Sequence, residues 1–404
     1  MTTTPFETAA RFDSPDFYLG DPNATFKELR RVEPVYWSAA DEMWVITKYD
    51  DIKAISSDPE RFRSERIAVL MDVIAKRKGE DPQNYGNRGV MFMDPPEHRS
   101  HRRAIGAHLT PGEVAKMEDR VREVVKNVVD GLPDGEFDFI EHVAEPVPVQ
   151  VFAQLLGIPE KDWSRVVGWA TTIAHVGSGA ASDDDMTLIY SEVAPFIMEL
   201  VAERREAPQN DFLTMLTTVL VDGQPLDEVQ VLTYALILLA AGSETTQSLI
   251  AGLAHCIDEF DDQRQLLFDD PSRSGDAVEE TMRFWTPVMS MARQAAVDVE
   301  LRGKTIKAGD AVLLAYASAN RDEERWGPTA DEFDITRRDA RTHLGFGIGE
   351  HFCMGAALAR REARLLIDEL VERTNGIRIT GEAQLRASAL VHTYDRLPVT
   401  LDRR

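Results

Sequence analysis

The sequence predicts a mainly α-helical fold with minor β-structure, and three observations predict it. Apolar residues recur at helical spacing through most of residues 111–260. β-Branched and aromatic runs are short and lie toward the two ends of the chain. Gly, Pro and Asp/Asn breaks divide the helical stretches without forming a long polar linker. With no internal repeat and no low-complexity tract, one domain over residues 1–404 is the simplest organisation.

In chain order, residues 34–37 and 44–47 flank a turn-like stretch at 39–42 and read as a hairpin. Helical spacing then marks residues 111–132, 149–156, 186–205 and 226–260. Strand character returns at 297–301 and 311–316, helix at 356–371, and a last strand at 399–401. Two polar, glycine-containing stretches, 77–89 and 178–185, are expected to be mobile loops able to gate a pocket.

Composition narrows the function. At 43% hydrophobic and 28% charged residues, the chain is an ordinary folding globule. Its 45 Lys and Arg face 69 Asp and Glu, a net charge of −24 that repels phosphate backbones and anionic bilayers, so neither nucleic acid nor a membrane surface is an expected partner. Two cysteines, Cys256 and Cys353, cannot form a disulfide framework, which fits a reducing cytoplasm. Residues 1–17 lack a signal-peptide pattern, and the most apolar run, 234–242, is shorter than the ~20 residues of a membrane span.

Four constellations bear on chemistry. The first is His343-Leu344-Gly345-Phe346-Gly347-Ile348-Gly349-Glu350-His351-Phe352-Cys353-Met354-Gly355, opening into a helix. Exposed amides and a helix N-terminus there favour an anionic sulfur, although a lone cysteine is also a common small core residue. The second is Ala241-Gly242-Ser243-Glu244-Thr245-Thr246 in the middle of the long helix, where Ile237, Ala241 and Thr245 share one face. The third is Glu280 with Arg283, a spacing that also occurs at Glu28/Arg31 and Glu60/Arg63 and is usually a weak surface pair. The fourth is Asp94-Pro95-Pro96-Glu97-His98 followed by Arg102 and Arg103.

The stretch Phe346 to Gly355 resembles the haem-binding loop of the cytochrome P450 family, Phe-Gly-x-Gly-x-His-x-Cys-x-Gly, at every fixed position. The other three constellations follow the family's order, and the resemblance spans residues 34–401. It implies a P450 fold, a helical bundle around haem b with small β-sheets. It further implies that Cys353 is the iron ligand, that Phe346 and Gly347 form the loop beside the sulfur, and that Gly355 leaves room beneath the porphyrin. His98, Arg102, Arg293 and His351 would meet the propionates. Glu244 and Thr245 match the acid-alcohol pair that delivers protons, with Ala241 and Gly242 making a gap for dioxygen. Glu280, Arg283 and Arg337 match a structural network. Val69, Met91, Ile237, Ala240, Val288, Met289, Met291 and His392 fall where the family lines its substrate pocket.

A thiolate ligand favours cleavage of the oxygen–oxygen bond, so the resemblance implies a monooxygenase that hydroxylates a small apolar molecule of terpenoid, steroid, fatty acid or aromatic type. The sequence carries no flavin, dinucleotide or iron–sulfur motif, so a ferredoxin and its NAD(P)H-dependent ferredoxin reductase are the expected electron supply to a monomeric enzyme. Arg360, Arg361 and Arg364 are the expected docking patch. Two rival readings retain the haem without the reaction: a haem-thiolate gas or redox sensor, and a non-catalytic haem-binding protein.

Overall fold

The computed structural model of the chain describes residues 10–80, 89–178 and 182–404. The loops expected at 77–89 and 178–185 fall partly outside these residues. Within the described part, Ser182 caps a short helix, Asp183–Leu188, its hydroxyl accepting from the Asp185 amide at 3.1 Å.

Near the N-terminus β1 (Val35–Ser38) and β2 (Met43–Ile46) pair antiparallel, with Tyr36 opposite Val45. A third strand, β3 (Phe62–Arg63), joins the same sheet from further along the chain. The helical middle follows as α1 (Glu97–Gly106), α2 (Glu118–Asp130), α3 (Pro146–Leu156) and α4 (Trp163–Ser178). The helix expected over 111–132 is broken at Met117 into Pro111–Lys116 and α2. That expected over 186–205 contains a wider turn at Ile189–Val193. In α3, Pro146 and Pro148 sit in the first turn, where amides have no intrahelical partner, and Gly157 ends the helix with φ of 82°.

The longest helix, α5 (Glu228–Glu259), begins at a reciprocal cap: the Gln230 amide donates to Asp227 and the Asp227 amide to the Gln230 side chain, at 2.8 and 2.9 Å. It extends well beyond the apolar run at 234–242 and is long and apolar enough to cross a membrane, but 61% of that stretch is buried inside the protein. Helices α3, α4 and α6 (Ser274–Phe284) pack around it. Two glycines set how closely: a Cβ on Gly242 would lie 2.0 Å from the Phe152 ring, and one on Gly252 2.3 Å from Trp285.

After α6, β4 (Met291–Ala295) and β5 (Ala311–Leu314) complete a sheet of order β1-β2-β5-β4-β3. β5 runs parallel to β2 and antiparallel to β4, with Val312 opposite Arg293. Val312 and Leu314 face one apolar cluster, Met43, Val45 and Leu313 another, so the sheet is buried on both sides. β4 has no β-branched residue; the ladder to β5, not local propensity, makes it a strand. Of the strand expected at 297–301, Val299–Leu301 is formed. The chain closes with α7 (Ala356–Arg373), β6 (Thr374–Ile379), a hairpin of β7 (Gln384–Leu385) and β8 (Tyr394–Arg396), and β9 (Pro398–Arg403) paired with β6.

Candidate active site

The cysteine loop is built by its glycines and two backbone bonds. Gly349 has φ of 77°, and a Cβ there would lie 2.3 Å from the Ser56 carbonyl oxygen. The Gly347 amide donates to Leu344 O and the Cys353 amide to Phe346 O, both at 2.8 Å. The Phe346 ring is buried under the Arg360 guanidinium, 4.4 Å from its centroid. The Cys353 thiol opens onto a cavity but is walled by protein behind. That enclosure raises its pKa, opposed by the Gly355 and Ala356 amides and by Arg102 and Arg360. The loop amides and the two arginines thus favour the thiolate, as the sequence predicts, against the cost of burial, and a bound metal ion deprotonates a coordinating thiol outright. A Cβ on Gly355 would meet only the cysteine sulfur, at 3.9 Å, so no protein neighbour demands glycine there.

The cavity measures about 760 Å³ and is lined by His98, Arg102, Glu350, Cys353 and Met354 among others. α1 presents His98 and Arg102 one turn apart. Both ring nitrogens of His98 are buried without a hydrogen-bond partner among the described residues, and the Glu350 carboxylate stands off at 3.6 Å. The His351 ring lies 4.3 Å from that of His98, and its Nε2 also has no partner. Burial, then Arg293, His98 and Arg102, push His351 down to about 2; burial and Arg102 lower His98. Arg293, held on β4, is itself buried and donates to the adjacent Ala292 carbonyl. Four basic side chains thus converge on one place, while Glu350, the carboxylate near them, is engaged by Arg99 at 3.0 Å. Such a cluster calls for an anion of more than one charge. The residues present fit haem, with one sulfur for the iron and four donors for two carboxylates.

In the middle of α5 the accessible strip runs through Ile237, Ala241 and Thr245, the face the spacing predicts. The Thr245 hydroxyl donates to Ala241 O at 2.7 Å. Glu244 is not solvated: Arg386, on the far hairpin, donates to it at 3.0 Å and to Asp395 at 2.6 Å. Ala241, expected with Gly242 to leave a gap for dioxygen, lies on the accessible strip, while the Phe152 ring fills the place of a Gly242 side chain.

Glu280 and Arg283 are fully buried and joined by two bonds of 2.7 and 2.8 Å. Arg283 also donates to the carbonyls of Asn320, Ala330 and Glu332, and Arg337 reaches Glu280 at 3.2 Å. Sequence reasoning missed one partner of this network, Asn320, and a neighbouring pair centre, Glu279. Asn320 accepts from the Leu344 amide at 2.7 Å, tying the network to the start of the cysteine loop. Glu279 accepts from Arg360 at 2.6 Å and lies 3.2 Å from His343. Burial pushes Glu279 up, but His343 and Arg360 outweigh it and bring it to about 2. No local pattern marks either residue. The expected basic patch is neutralised: Arg360 pairs with Glu279, Arg361 with Glu118, and Arg364 faces Asp368 at 3.7 Å.

Of the expected pocket residues, Ile237 lies on the accessible strip of α5 and abuts Gly89, beside the turn Val90–Phe92 that bears Met91. Val69 begins the helix Leu70–Arg77, and Val288 bridges Val391. Met289 and Met291 pack into opposite clusters of the sheet, and Ala240 joins the main core. His392 stacks on Trp285 at 3.8 Å and 11°, its Nδ1 3.0 Å from Trp285 O, which commits that imidazole to the core.

A helical protein with a loop-borne cysteine on a cavity, and four clustered basic side chains of which His98 and Arg102 line that cavity, defines a haem-thiolate class of enzyme. The family described as Cytochrome P450 matches residues 276–375. The chain is 34% identical over 409 residues to vitamin D(3) 25-hydroxylase of Pseudonocardia autotrophica, covering 99% of this chain and 98% of that protein. It is 32% identical to a methyl-branched lipid omega-hydroxylase of Mycobacterium bovis, over 95% of this chain and 93% of the relative. Among solved structures, cytochrome P450 CYP109Q5 of Chondromyces apiculatus superposes with a TM-score of 0.85 at 30% identity, over 97% and 98% of the two chains. The chain belongs to the cytochrome P450 family. It is a monooxygenase whose cofactor is haem b.

Proposed function

We propose that this P450 hydroxylates a bulky apolar molecule of terpenoid, steroid or fatty acyl type, with electrons from a ferredoxin and its NAD(P)H-dependent reductase. The relatives named above act on vitamin D3 and methyl-branched lipid, and linalool 8-monooxygenase of Pseudomonas putida is 31% identical over 96% of this chain. The chain's two cysteines and its charge suit a cytoplasmic, single-domain monomer.

One observation carries the reading: the Cys353 thiol and the unpartnered His98 ring open onto the same cavity. Cys353 would hold the iron, and His98, Arg102, Arg293 and His351 the propionates by charge-assisted hydrogen bonds. Bound haem supplies dioxygen activation, which thiolate ligation directs toward cleavage of the oxygen–oxygen bond. Glu244 holds a proton-accepting carboxylate against Arg386 and, once freed from it, passes protons past the Thr245 hydroxyl. The apolar strip of α5 orients substrate and excludes water.

A substrate-library screen for the change in haem absorbance on binding, with product analysis of each hit, tests the substrate class. For each hit, Thr245→Ala is expected to keep haem and substrate binding while diverting reducing equivalents to peroxide or water. Undiminished coupling in that variant would remove the hydroxyl from the proton path.

A further inference from the structure

Behind Glu244, between α3, α4 and α5, lies a second and much smaller opening lined by Glu145, Ser243, Glu244, Gln247 and Arg386. Its volume, about 10 Å³, is about what one water molecule needs. Gln247 is buried, and its Nε2 has no hydrogen-bond partner among the described residues, so an amide donor stands unused in this wall. Glu145, at the start of α3, is half-buried; one turn earlier, Glu141 is exposed to solvent. Glu141 is thus exposed, while Glu145 and Glu244 on α5 are both partly buried and line the same crevice. The Arg386 guanidinium stands among them, bonded to Glu244 and Asp395.

We propose that Glu145 supplies protons to Glu244 through one water molecule held in this crevice. It is a positioning residue in the proton path, acting only through Glu244. The Glu145 O–H passes its proton to the water, and the water passes one of its own to the Glu244 carboxylate. Solvent then restores the Glu145 proton past Glu141. Only O–H bonds break and form, and no electron moves. Burial raises Glu145 above the ordinary carboxylate value, which favours its proton-bearing form; Arg386 opposes the rise and Glu141 reinforces it. Of the charged groups around Glu145, Glu141 lies on its own segment, Glu244 on α5, and Arg386 on the terminal hairpin with Asp395 behind it.

This inference rests on the reading that Glu244 delivers protons, so the test compares Glu145→Gln with Glu244→Gln. In haem-loaded protein, infrared spectra titrated across neutral pH should show a protonated-carboxyl band that Glu145→Gln removes. Arg386→Gln should move the midpoint of that band upward. Using a substrate from the screen, Glu145→Gln should lower ferredoxin-driven turnover roughly 10-fold at pH values where Glu145 holds its proton and enlarge the solvent isotope effect. Substrate binding should not change, and Glu145→Asp should recover part of the rate. If Glu244→Gln alters the pH profile and isotope effect while Glu145→Gln leaves both as in the wild type, the Glu145 path is overturned and the role of Glu244 stands. If neither substitution alters them, the delivery role of Glu244 falls, and this path with it.

Discussion

Glu28 with Arg31 and Glu280 with Arg283 are the same local arrangement, an acid three residues ahead of an arginine on a helix, set in two different solvents. The Arg31 and Glu28 side chains are 69% and 37% exposed; those of Arg283 and Glu280 are both 0% exposed. On the surface the pair competes with water, and its geometry does little beyond joining two side chains. In the core the same pair has no water to return to, so each remaining donor must find a protein acceptor. Arg283 finds three carbonyls, spread over residues 320–332, and thereby fixes a long irregular segment ahead of the cysteine loop. Spacing defines the contact; burial decides whether it organises anything.

The largest expected effect is at the buried copy. Arg283→Gln should cost about 3–5 kcal/mol, because the buried Glu280 loses its two-bond partner and keeps only Arg337 while three carbonyls lose their donor, and bound haem should be lost with the fold. Chemical denaturation and haem content measure it; a wild-type denaturation midpoint would break the comparison.

A pH titration of stability sharpens it by probing Glu279 and His343, which adjoin the buried pair. Burial lowers His343 in the fold, so the unfolded chain takes up a proton the folded one resists. Stability is therefore expected to decline first as pH falls below about 6.5, the ordinary histidine value. Glu279, held at about 2, stabilises the fold above the ordinary carboxylate value of about 4.3, and that share is lost as pH falls toward 2. Glu279→Gln should flatten the second decline and, because Glu279 holds His343 up against burial, deepen the first. A single decline unchanged by the substitution would contradict the assignment.

The smallest effect belongs to the surface copy. Glu28→Gln should leave the thermal midpoint unchanged within error in scanning calorimetry, and a clear drop would show that exposure is the wrong variable.

The same contrast explains what could be read in advance. The cysteine loop was legible because its constraint is local: glycines with φ near 70° and a cysteine at a fixed offset must be written consecutively. The face of α5 bearing Ile237, Ala241 and Thr245 was legible from its period. What that helix meets was not. Arg386 lies 142 residues from Glu244, and the Phe152 ring that occupies the space beside Gly242 comes from another helix. Asn320 and Glu279 look like ordinary polar residues until the fold brings Leu344 and Arg360 to them. β4 was illegible for a related reason, since Met-Ala-Arg-Gln-Ala becomes a strand only by pairing with β5. Periodicity reports a residue's direction and not its partner.

The central claim concerns the sulfur of Cys353. Its most direct test is the absorption spectrum of the reduced, carbon monoxide-bound, haem-loaded protein beside that of Cys353→His. A thiolate-type spectrum in the wild type that becomes imidazole-type in the variant is the predicted result. A wild-type spectrum of the imidazole kind, or one that the substitution leaves unchanged, would contradict it.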